Sequence, residues 1–363
     1  MPRSVLVVGA GIAGSALAAL LGRAGHRVTL VERDSRQRSS GSPVDVRGAA
    51  LPVVDRLGIT DALRKADTGV AYVEFVDERG RRRARAAMRR NSAMDVEISR
   101  SALNRVLSDA AADVADLVYG DGPAGLEASA AGVDVAFESG RRSRFDLVVG
   151  ADGQHSTIRR LAFGPESQYA SPVGLLIATT PVNDTLVPER DAVQMCNMPG
   201  ASLSVHPAGG HPVAAFIFRA GTSRPRDREG QQRELEQRYA GGWLSTELLA
   251  AAREAEDLYF DAVNRVSVPS WSRGRIVLLG DAASSITILG EGASMALAGA
   301  NALADAIAET HDVDDAVAAY EREHRPRVTA AQRGAGYGAS MLVPKTARGI
   351  ALRNLLVRVA RRV

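Results

Sequence analysis

Three glycines near the start of the chain have the spacing of a phosphate-binding turn. Gly9, Gly11 and Gly14 follow the apolar run at residues 5–8 and open an Ala- and Leu-rich stretch. In such a strand–turn–helix the first glycine permits the turn, the second lets a pyrophosphate approach the backbone, and the third lets helix and strand pack closely. The helix N-terminus adds N–H groups and partial positive charge. We predict a dinucleotide site with contacts from Gly9, Gly11, Ala13 and Gly14.

An acidic residue ends the next apolar run. Residues 28–31 predict a second strand, and Glu32 follows it near the position of a carboxylate that binds an adenosine ribose. A glycine turn without a nucleotide is the alternative, and the combination of strand, helix and acid favours the nucleotide.

Two later segments repeat the pairing of glycine with an acid after an apolar strand. Asp152 and Gly153 follow residues 145–149, and Asp281 follows residues 275–279. Such a position lies where ligands bind in parallel α/β sheets. A helix is predicted from about residue 293, so Gly292 and Ala293 present backbone N–H groups at its positive end.

The composition is that of a globular protein without a nucleic-acid partner. The chain has 363 residues, 45% of them hydrophobic and 24% charged, with a formal net charge of +3. This length suits one large domain or two of ordinary size. We see no compact arginine stripe with interleaved aromatics. Cys196 is the only cysteine, so no internal disulfide or cysteine-based metal site is expected, and no metal is predicted.

The two ends of the chain lead to expectations about location. The N-terminus enters the first strand at once, which leaves no room for a signal peptide, and no apolar run reaches the length of a membrane span. We therefore expect a cytoplasmic protein without integral membrane association. Residues 348–363 read as a basic amphipathic helix, which we expect to pack on its own domain. Membrane docking is the alternative.

The middle of the chain predicts a second sheet and several local elements. Residues 174–268 read as alternating, largely antiparallel strands with one polar helix at about 228–249. Hairpins are expected at 72–86 and at 133–149. A helix at 314–325 is expected to end before Pro326, and residues 334–338 read as a local turn.

Three segments together resemble a known family. Residues 9–32, 150–159 and 275–298 are similar to the single-component FAD-dependent aromatic hydroxylases (group A flavoprotein monooxygenases of the para-hydroxybenzoate hydroxylase type), most closely to the tetracycline-inactivating branch. The resemblance covers nearly the whole chain. It includes V-E-R at 31–33, G-S-P-V-D-V-R at 41–47 and S-R-S-A-L at 99–103.

The resemblance implies roles for individual residues. Glu32 would bind the adenosine ribose and Arg33 would lie near the adenine. Asp45 and Arg100 would contact FAD, and Asp152 with Gly153 would touch its pyrophosphate region. Asp281 would hold the ribityl chain or a flavin phosphate, and Gly292 and Ala293 would face the flavin ring. Arg38 matches a position linked to NADPH.

The resemblance also implies an α/β fold and a domain plan. It predicts a Rossmann-like FAD-binding domain (residues 1–70, 97–170 and 268–340), an inserted, mostly antiparallel β-sheet substrate domain (71–96 and 171–267) and a C-terminal helix (341–363). We expect Met195, Phe216 and Phe218 to line the substrate cavity, with plain sheet core as the alternative.

The resemblance implies that the protein is an oxidoreductase of secondary metabolism. FAD and NADPH (or NADH) would support hydroxylation of an aromatic or polyketide-like small molecule by O2 through a flavin C4a-hydroperoxide, in a monomer or homodimer. No catalytic acid or base is assigned, since FAD carries the chemistry. The alternatives are a flavin-dependent reductase or dehydrogenase of the geranylgeranyl reductase type, and a flavin-binding protein without turnover.

The third segment departs from the family pattern. Ser284 stands where histidine is common and Ile288 where proline is common, and Gly292 comes one residue early. Glu291 and Ser294 replace the usual glutamine and asparagine. The altered loop lies beside the predicted flavin ring.

Overall fold

The computed structural model describes residues 2–35, 43–88, 92–221, 225, 227–256, 258–285 and 292–360. The strands are β1 (Ser4–Val8), β2 (Arg27–Glu32), β3 (Val44–Val46), β4 (Tyr72–Val76), β5 (Arg82–Ala87), β6 (Val96–Ile98), β7 (Asp116–Tyr119), β8 (Pro123–Ser129), β9 (Gly132–Phe137), β10 (Arg142–Phe145), β11 (Leu147–Gly150), β12 (Ala170–Pro181), β13 (Ala192–Met198), β14 (Ala201–His206), β15 (Val213–Arg219), β16 (Tyr259–Val266), β17 (Ser272–Arg273) and β18 (Ile276–Leu278). The helices are α1 (Ile12–Arg23), α2 (Leu51–Arg56), α3 (Thr60–Lys65), α4 (Arg100–Ala112), α5 (Thr157–Ala162), α6 (Arg228–Tyr239), α7 (Ser245–Glu254), α8 (Gly292–Glu309), α9 (Val313–Leu342) and α10 (Ala347–Ala360).

A six-stranded sheet forms the first layer. Its order is β17-β18-β11-β1-β2-β7, and the pairs from β18 to β7 are parallel. Its central strands are near-continuous apolar runs because both faces are covered. Helices α8 and α4 both pack against α1 beside it. The chain leaves β1 toward β2 on one side and returns to β11 on the other, so the carboxyl ends of β1 and β11 flank a topological switch point, where ligands bind in such sheets.

A seven-stranded sheet forms the second layer. Its order is β16-β12-β15-β14-β13-β4-β5, with antiparallel pairs except for the parallel pair of β13 and β4. The hairpin expected at residues 72–86 is confirmed as β4 and β5. The single polar helix expected at 228–249 is wrong, because Gly241 (φ +84°) and Leu244 (φ +48°) break it into α6 and α7.

Two small sheets complete the fold. One contains β10-β9-β8 and the other pairs β3 with β6. The hairpin expected at 133–149 is only partly correct, because its second strand divides at Asp146. Residues before it pair with β9, whereas β11 joins the six-stranded sheet. The Asp146 carboxylate marks the division by accepting a hydrogen bond from the Ser4 backbone N–H, 2.7 Å away.

The helix α9 is longer than the sequence predicts. Both the end before Pro326 and the turn at residues 334–338 are wrong, since the helix continues through them for 30 residues. Pro326 is exposed, and so is Arg322, whose carbonyl loses its helical hydrogen bond to the missing N–H, so the break lies on the exposed side of the helix. The helical C-terminus of the fold thus consists of α9 and α10. None of the described helices is both long and apolar enough to cross a bilayer.

Candidate functional site

The turn after β1 contains two glycines, Gly9 and Gly14, that a residue with a side chain could not replace. Gly9 has φ +101°, and a Cβ there would lie 2.6 Å from the Ala151 carbonyl oxygen. At Gly14 a Cβ would lie 2.0 Å from the Gly9 carbonyl oxygen. Gly11 differs, because its added Cβ would meet no other atom within 4 Å in the part of the chain that the structure describes. The first and third glycines therefore close the turn, and the second faces open space.

The N-terminus of α1 is available to an anion. Gly11 is its N-cap, and it has no side chain to accept a hydrogen bond from the first turn. Ala13 lies in that turn. Uncapped N–H groups at the positive end of a helix form an anion-binding site.

Glu32 is fixed at the end of β2 beside this turn. Its Oε2 accepts a hydrogen bond from the Ala10 N–H at 2.9 Å, and its Oε1 accepts one from the Asp34 N–H at 3.1 Å. The structure therefore brings the acid and the glycine turn together. Arg33 follows as an exposed residue, and Arg38 lies outside the described residues.

Asp152 organises the loop after β11. Its carboxylate accepts hydrogen bonds from the Ser156 hydroxyl and from the N–H groups of Thr157 (2.6 Å) and Ile158 (3.0 Å) at the start of α5. Burial raises the pKa of Asp152 above its usual value, and the hydrogen bonds oppose the rise. Gly153 follows with φ +79°. The carboxylate thus shapes the loop.

Arg159 is a site residue that the sequence motif contains but to which we assigned no role. Its side chain is fully buried, and it donates hydrogen bonds to the carbonyl oxygens of Ala282 (2.9 Å) and Gln154 (2.5 Å). It joins the loop after β11 to the loop after β18. No local signal could have revealed the partner at Ala282, which is 123 residues away.

Asp281 and Arg100 lie close enough to interact. Burial raises the pKa of the Asp281 carboxyl, and the charge of Arg100 opposes that rise. One turn after Arg100, the buried Asn104 Oδ1 has no hydrogen-bond partner in the described part of the chain. On the other side, a Cβ on Gly280 would lie 3.0 Å from the Ala13 Cβ, so the loop after β18 touches α1.

The start of α8 lies against β3. The Ser294 hydroxyl donates to the Asp45 carbonyl oxygen at 2.8 Å and accepts from the Arg47 N–H at 3.1 Å. This contact brings Asp45 to Gly292 and Ala293. A Cβ on Gly292 would meet none of the described residues within 4 Å. Ser284 is buried, while Ile288 and Glu291 lie outside the described residues.

A polar junction joins this site to the seven-stranded sheet. The Asp261 carboxylate on β16 accepts a hydrogen bond from Gln154 Nε2 at 2.6 Å and lies 3.1 Å from His155 Nε2. His155 Nδ1 lies 3.0 Å from Glu166 Oε1. The hydrogen bond to Asp261, followed by that to Glu166, raises the pKa of His155, while burial opposes the rise. The sequence holds no local signal for this contact.

Phe216 and Phe218 lie on the opposite face of the seven-stranded sheet from Met195. Both contact the Tyr239 ring edge-on, with centroids 5.1 and 6.0 Å away, in a buried cluster under α6 and α7. Met195 pairs across the strands with Ser204, on the other face. This placement favours the interpretation of both phenylalanines as sheet core.

The residues fit a dinucleotide cofactor. The open space at Gly11, the uncapped start of α1 and the fixed Glu32 suit a pyrophosphate and a ribose. Asn104 Oδ1, which has no partner in the described ranges, lies on α4, and Gly292, where the described residues leave room for a Cβ, begins α8, so both lie at other elements of the predicted site. Two open surface grooves of about 670 and 640 Å³ contain none of these residues.

Known proteins have the same fold and sequence pattern. A family model for the FAD binding domain matches residues 3–335. A flavin-dependent monooxygenase from an unknown prokaryotic organism is 31% identical, covering 91% of this chain and 88% of its own. The FAD-dependent monooxygenase asL6 of Sarocladium schorii is 30% identical, covering 96% and 90%.

Solved structures of other proteins are similar to this fold. Tetracycline destructase Tet(55) superposes with a TM-score of 0.86 and 29% identity over 98% of this chain and 95% of its own. Klebsiella pneumoniae HpxO complexed with FAD and uric acid has a TM-score of 0.81 at 23% identity, covering 98% and 92%, which shows the fold alone. The predicted α/β fold with a Rossmann-like layer, a mostly antiparallel sheet and C-terminal helices is confirmed, and so is the resemblance to the aromatic hydroxylases. The chain therefore belongs to the FAD binding domain family and is a flavin-dependent monooxygenase.

Proposed function

We propose that this monooxygenase uses NADPH or NADH to hydroxylate an aromatic or polyketide-like small molecule. One oxygen atom of O2 would enter an electron-rich carbon of the substrate, and the other would leave as water with two electrons from the nicotinamide and one further proton. Bound FAD supplies the redox chemistry, namely hydride acceptance and oxygen activation. We further propose that the protein is cytoplasmic and is a monomer or homodimer.

The observation that carries this proposal is the hydrogen bond from Gln154 to Asp261. Asp261 pairs with Ile177 on β12, and Tyr259 pairs with Thr179 two residues away, so the four residues share one sheet face. Because Gln154 belongs to the loop after β11, this face meets the proposed FAD site.

That face carries both apolar and polar groups suited to a small molecule. Met195 and Thr179 share it with His206. Thr179 Oγ1 and His206 Nδ1 are buried, and neither has a hydrogen-bond partner within the described ranges. Burial lowers the pKa of His206 to about 4, so its ring is neutral at pH 7. An apolar wall with a few polar atoms is typical of substrate pockets.

The proposed roles at the cofactor follow the resemblance. Glu32 would bind the ribose with Arg33 near the adenine, and Gly11 with α1 would bind the pyrophosphate. The remaining contacts would come from Asp45, Arg100, Asp152, Gly153 and Asp281, and Arg38 would bind NADPH. The positive end of α8 at Gly292 and Ala293 would stabilise negative charge on the reduced flavin ring.

The likeness to tetracycline destructases supports the polyketide-like substrate class. We propose the domain plan given by the resemblance, in which the sheet of residues 171–267 with 71–96 binds substrate and the rest binds FAD. Exclusion of water from the space between them would keep activated oxygen for the substrate.

The proposal is tested first with the purified protein and its released cofactor. We expect an oxidised flavin spectrum and release of FAD at near one per chain. Under anaerobic conditions NADPH or NADH should bleach the flavin. Oxygen uptake is then measured with a panel of phenols and with tetracycline, and uptake matched to hydroxylated product supports the proposal. Two results together would instead favour the reductase alternative. No member of the panel would accelerate flavin reduction, and the product would be reduced rather than hydroxylated.

A further inference from the structure

The C-terminal helix α10 exposes an apolar stripe and buries Arg353 on its inner side. Leu352, Leu355, Leu356 and Val359 are 58%, 54%, 52% and 55% exposed. These positions follow the i, i+3, i+4, i+7 pattern of one helix face. Arg353, in contrast, is only 4% exposed. An exposed apolar stripe of this kind marks an interaction surface.

The buried side of α10 is held by specific contacts. The Arg353 guanidinium donates to Asn197 Oδ1 at 2.7 Å and lies 3.8 Å from the centre of the Phe75 ring. Arg358 Nε donates to the Arg83 carbonyl oxygen at 2.6 Å. These contacts fix the rotation of the helix, so its leucines point outward. The sequence expectation of a helix on its own domain holds for this side only.

The charge along α10 itself has one sign. From Val343 to the end of the chain there are six basic residues and no acidic residue. Lys345, Arg348 and Arg358 are exposed, and the adjoining β4–β5 hairpin adds exposed Arg81 and Arg82 together with the acidic Asp77 and Glu78 of its turn. Of the large apolar side chains that are exposed in the described ranges, only Tyr119 lies elsewhere.

This combination favours one kind of partner. A second copy of the chain would bring two basic helices together with no acid on either to pair with the arginines. An anionic lipid surface instead accepts the leucines into its headgroup region and attracts the surrounding basic residues. We propose that α10 docks the enzyme on anionic membrane surfaces, lying in the interface without crossing the bilayer.

The docking is tested by vesicle flotation with the full-length, FAD-loaded enzyme. Vesicles of phosphatidylcholine alone are compared with vesicles of equal parts phosphatidylcholine and phosphatidylglycerol. We expect flotation with the anionic vesicles only, and its loss as salt rises from about 0.05 to 0.5 M. The double variant Leu355→Ser/Leu356→Ser should bind at least about tenfold more weakly. The exposed-residue control Tyr119→Ser should bind like the parent.

A reporter variant keeps the test independent of folding defects. Leu355→Trp should show a blue-shifted emission on addition of the anionic vesicles and unchanged FAD content. Failure to float with anionic vesicles, or equal binding to neutral ones, would overturn the proposal. So would a dimer in sedimentation velocity that the double serine variant converts to monomer, because the stripe would then be a self-association surface.

Discussion

The Arg159 guanidinium donates to the carbonyl oxygen of Ala282 across 2.9 Å and so joins two loops that are far apart in the chain. One loop follows β11 and carries Asp152, and the other follows β18 and carries Asp281. The two acids of the predicted cofactor site are thus positioned by one buried cation.

Replacing that cation should loosen both loops. Arg159→Met leaves the carbonyl oxygens of Ala282 and Gln154 without their donor, and each unsatisfied buried group costs about 1–3 kcal/mol. We expect the free energy of unfolding to fall by roughly 3 kcal/mol or more and FAD retention to fall with it. Urea unfolding and the flavin content after gel filtration measure both. The exposed neighbour Arg160→Met is the control, and equal stability of the two variants would contradict the assignment.

Substitutions at the glycines of the first turn should affect folding and cofactor binding separately. Gly11→Ala places a methyl group in open space, so the apoprotein should unfold within about 0.5 kcal/mol of the parent. The same methyl group faces the proposed pyrophosphate, so FAD should bind about tenfold more weakly or worse. Gly14→Ala should instead destabilise the apoprotein, since its Cβ would clash with the Gly9 carbonyl. Unchanged FAD affinity in Gly11→Ala, measured by flavin fluorescence, would exclude a phosphate there.

The junction at His155 should make stability depend on pH. Asp261 and Glu166 raise the pKa of His155. Asp261 also accepts a hydrogen bond from Gln154, and the Arg159 guanidinium lies 3.8 Å from the Glu166 carboxylate. Because the folded pKa exceeds the unfolded value, the stabilisation is complete below pH 6.5 and is lost as pH rises through the folded pKa.

His155→Gln should therefore lower stability most at acidic pH. The difference in unfolding free energy from the parent should be largest at about pH 5.5 and should shrink by about pH 8.5. Urea titrations across this range measure it, and the exposed His211→Gln serves as the control. A stability difference that grows with pH would contradict the expected direction and refute the pairing of His155 with Asp261 and Glu166.

The two faces of the seven-stranded sheet should respond differently to substitution. Met195→Phe narrows the proposed substrate space and should raise the substrate KM about tenfold or more. Phe216→Leu should leave KM unchanged and lower the unfolding free energy by roughly 1 kcal/mol through the lost contact with Tyr239. Steady-state kinetics with the best substrate of the panel, paired with thermal unfolding, checks both. A KM effect confined to Phe216→Leu would restore the prediction that it lines the cavity.

The local features of the site could be predicted from the sequence. The turn at Gly9, Gly11 and Gly14 depends on backbone conformation and on neighbours within a few residues, and the acid at Glu32 ends a recognisable strand. The strand-to-turn transitions before Asp152 and Asp281 have the same local character.

The long-range features could not be predicted in this way. The bond from Arg159 to Ala282 and the contact of His155 with Asp261 join residues more than 100 positions apart. Alternation along β15 shows that Phe216 and Phe218 share a face, but α6 and α7 decide which face is covered. At Pro326 the local rule for ending a helix failed because Pro326 and Arg322, whose carbonyl it leaves unpaired, are both exposed.

The two ends of α9 bind different sheets. Near its start, the Tyr320 hydroxyl donates to the Leu278 carbonyl oxygen of the six-stranded sheet at 3.3 Å. Near its end, the Asn197 amide of the seven-stranded sheet donates to the Leu342 carbonyl oxygen at 2.8 Å. The helix is about 45 Å long and acts as a strut between the layers. Any change in the proposed gap for flavin and substrate would bend this strut, and its most compliant point is Pro326, where one hydrogen bond of the ladder is missing.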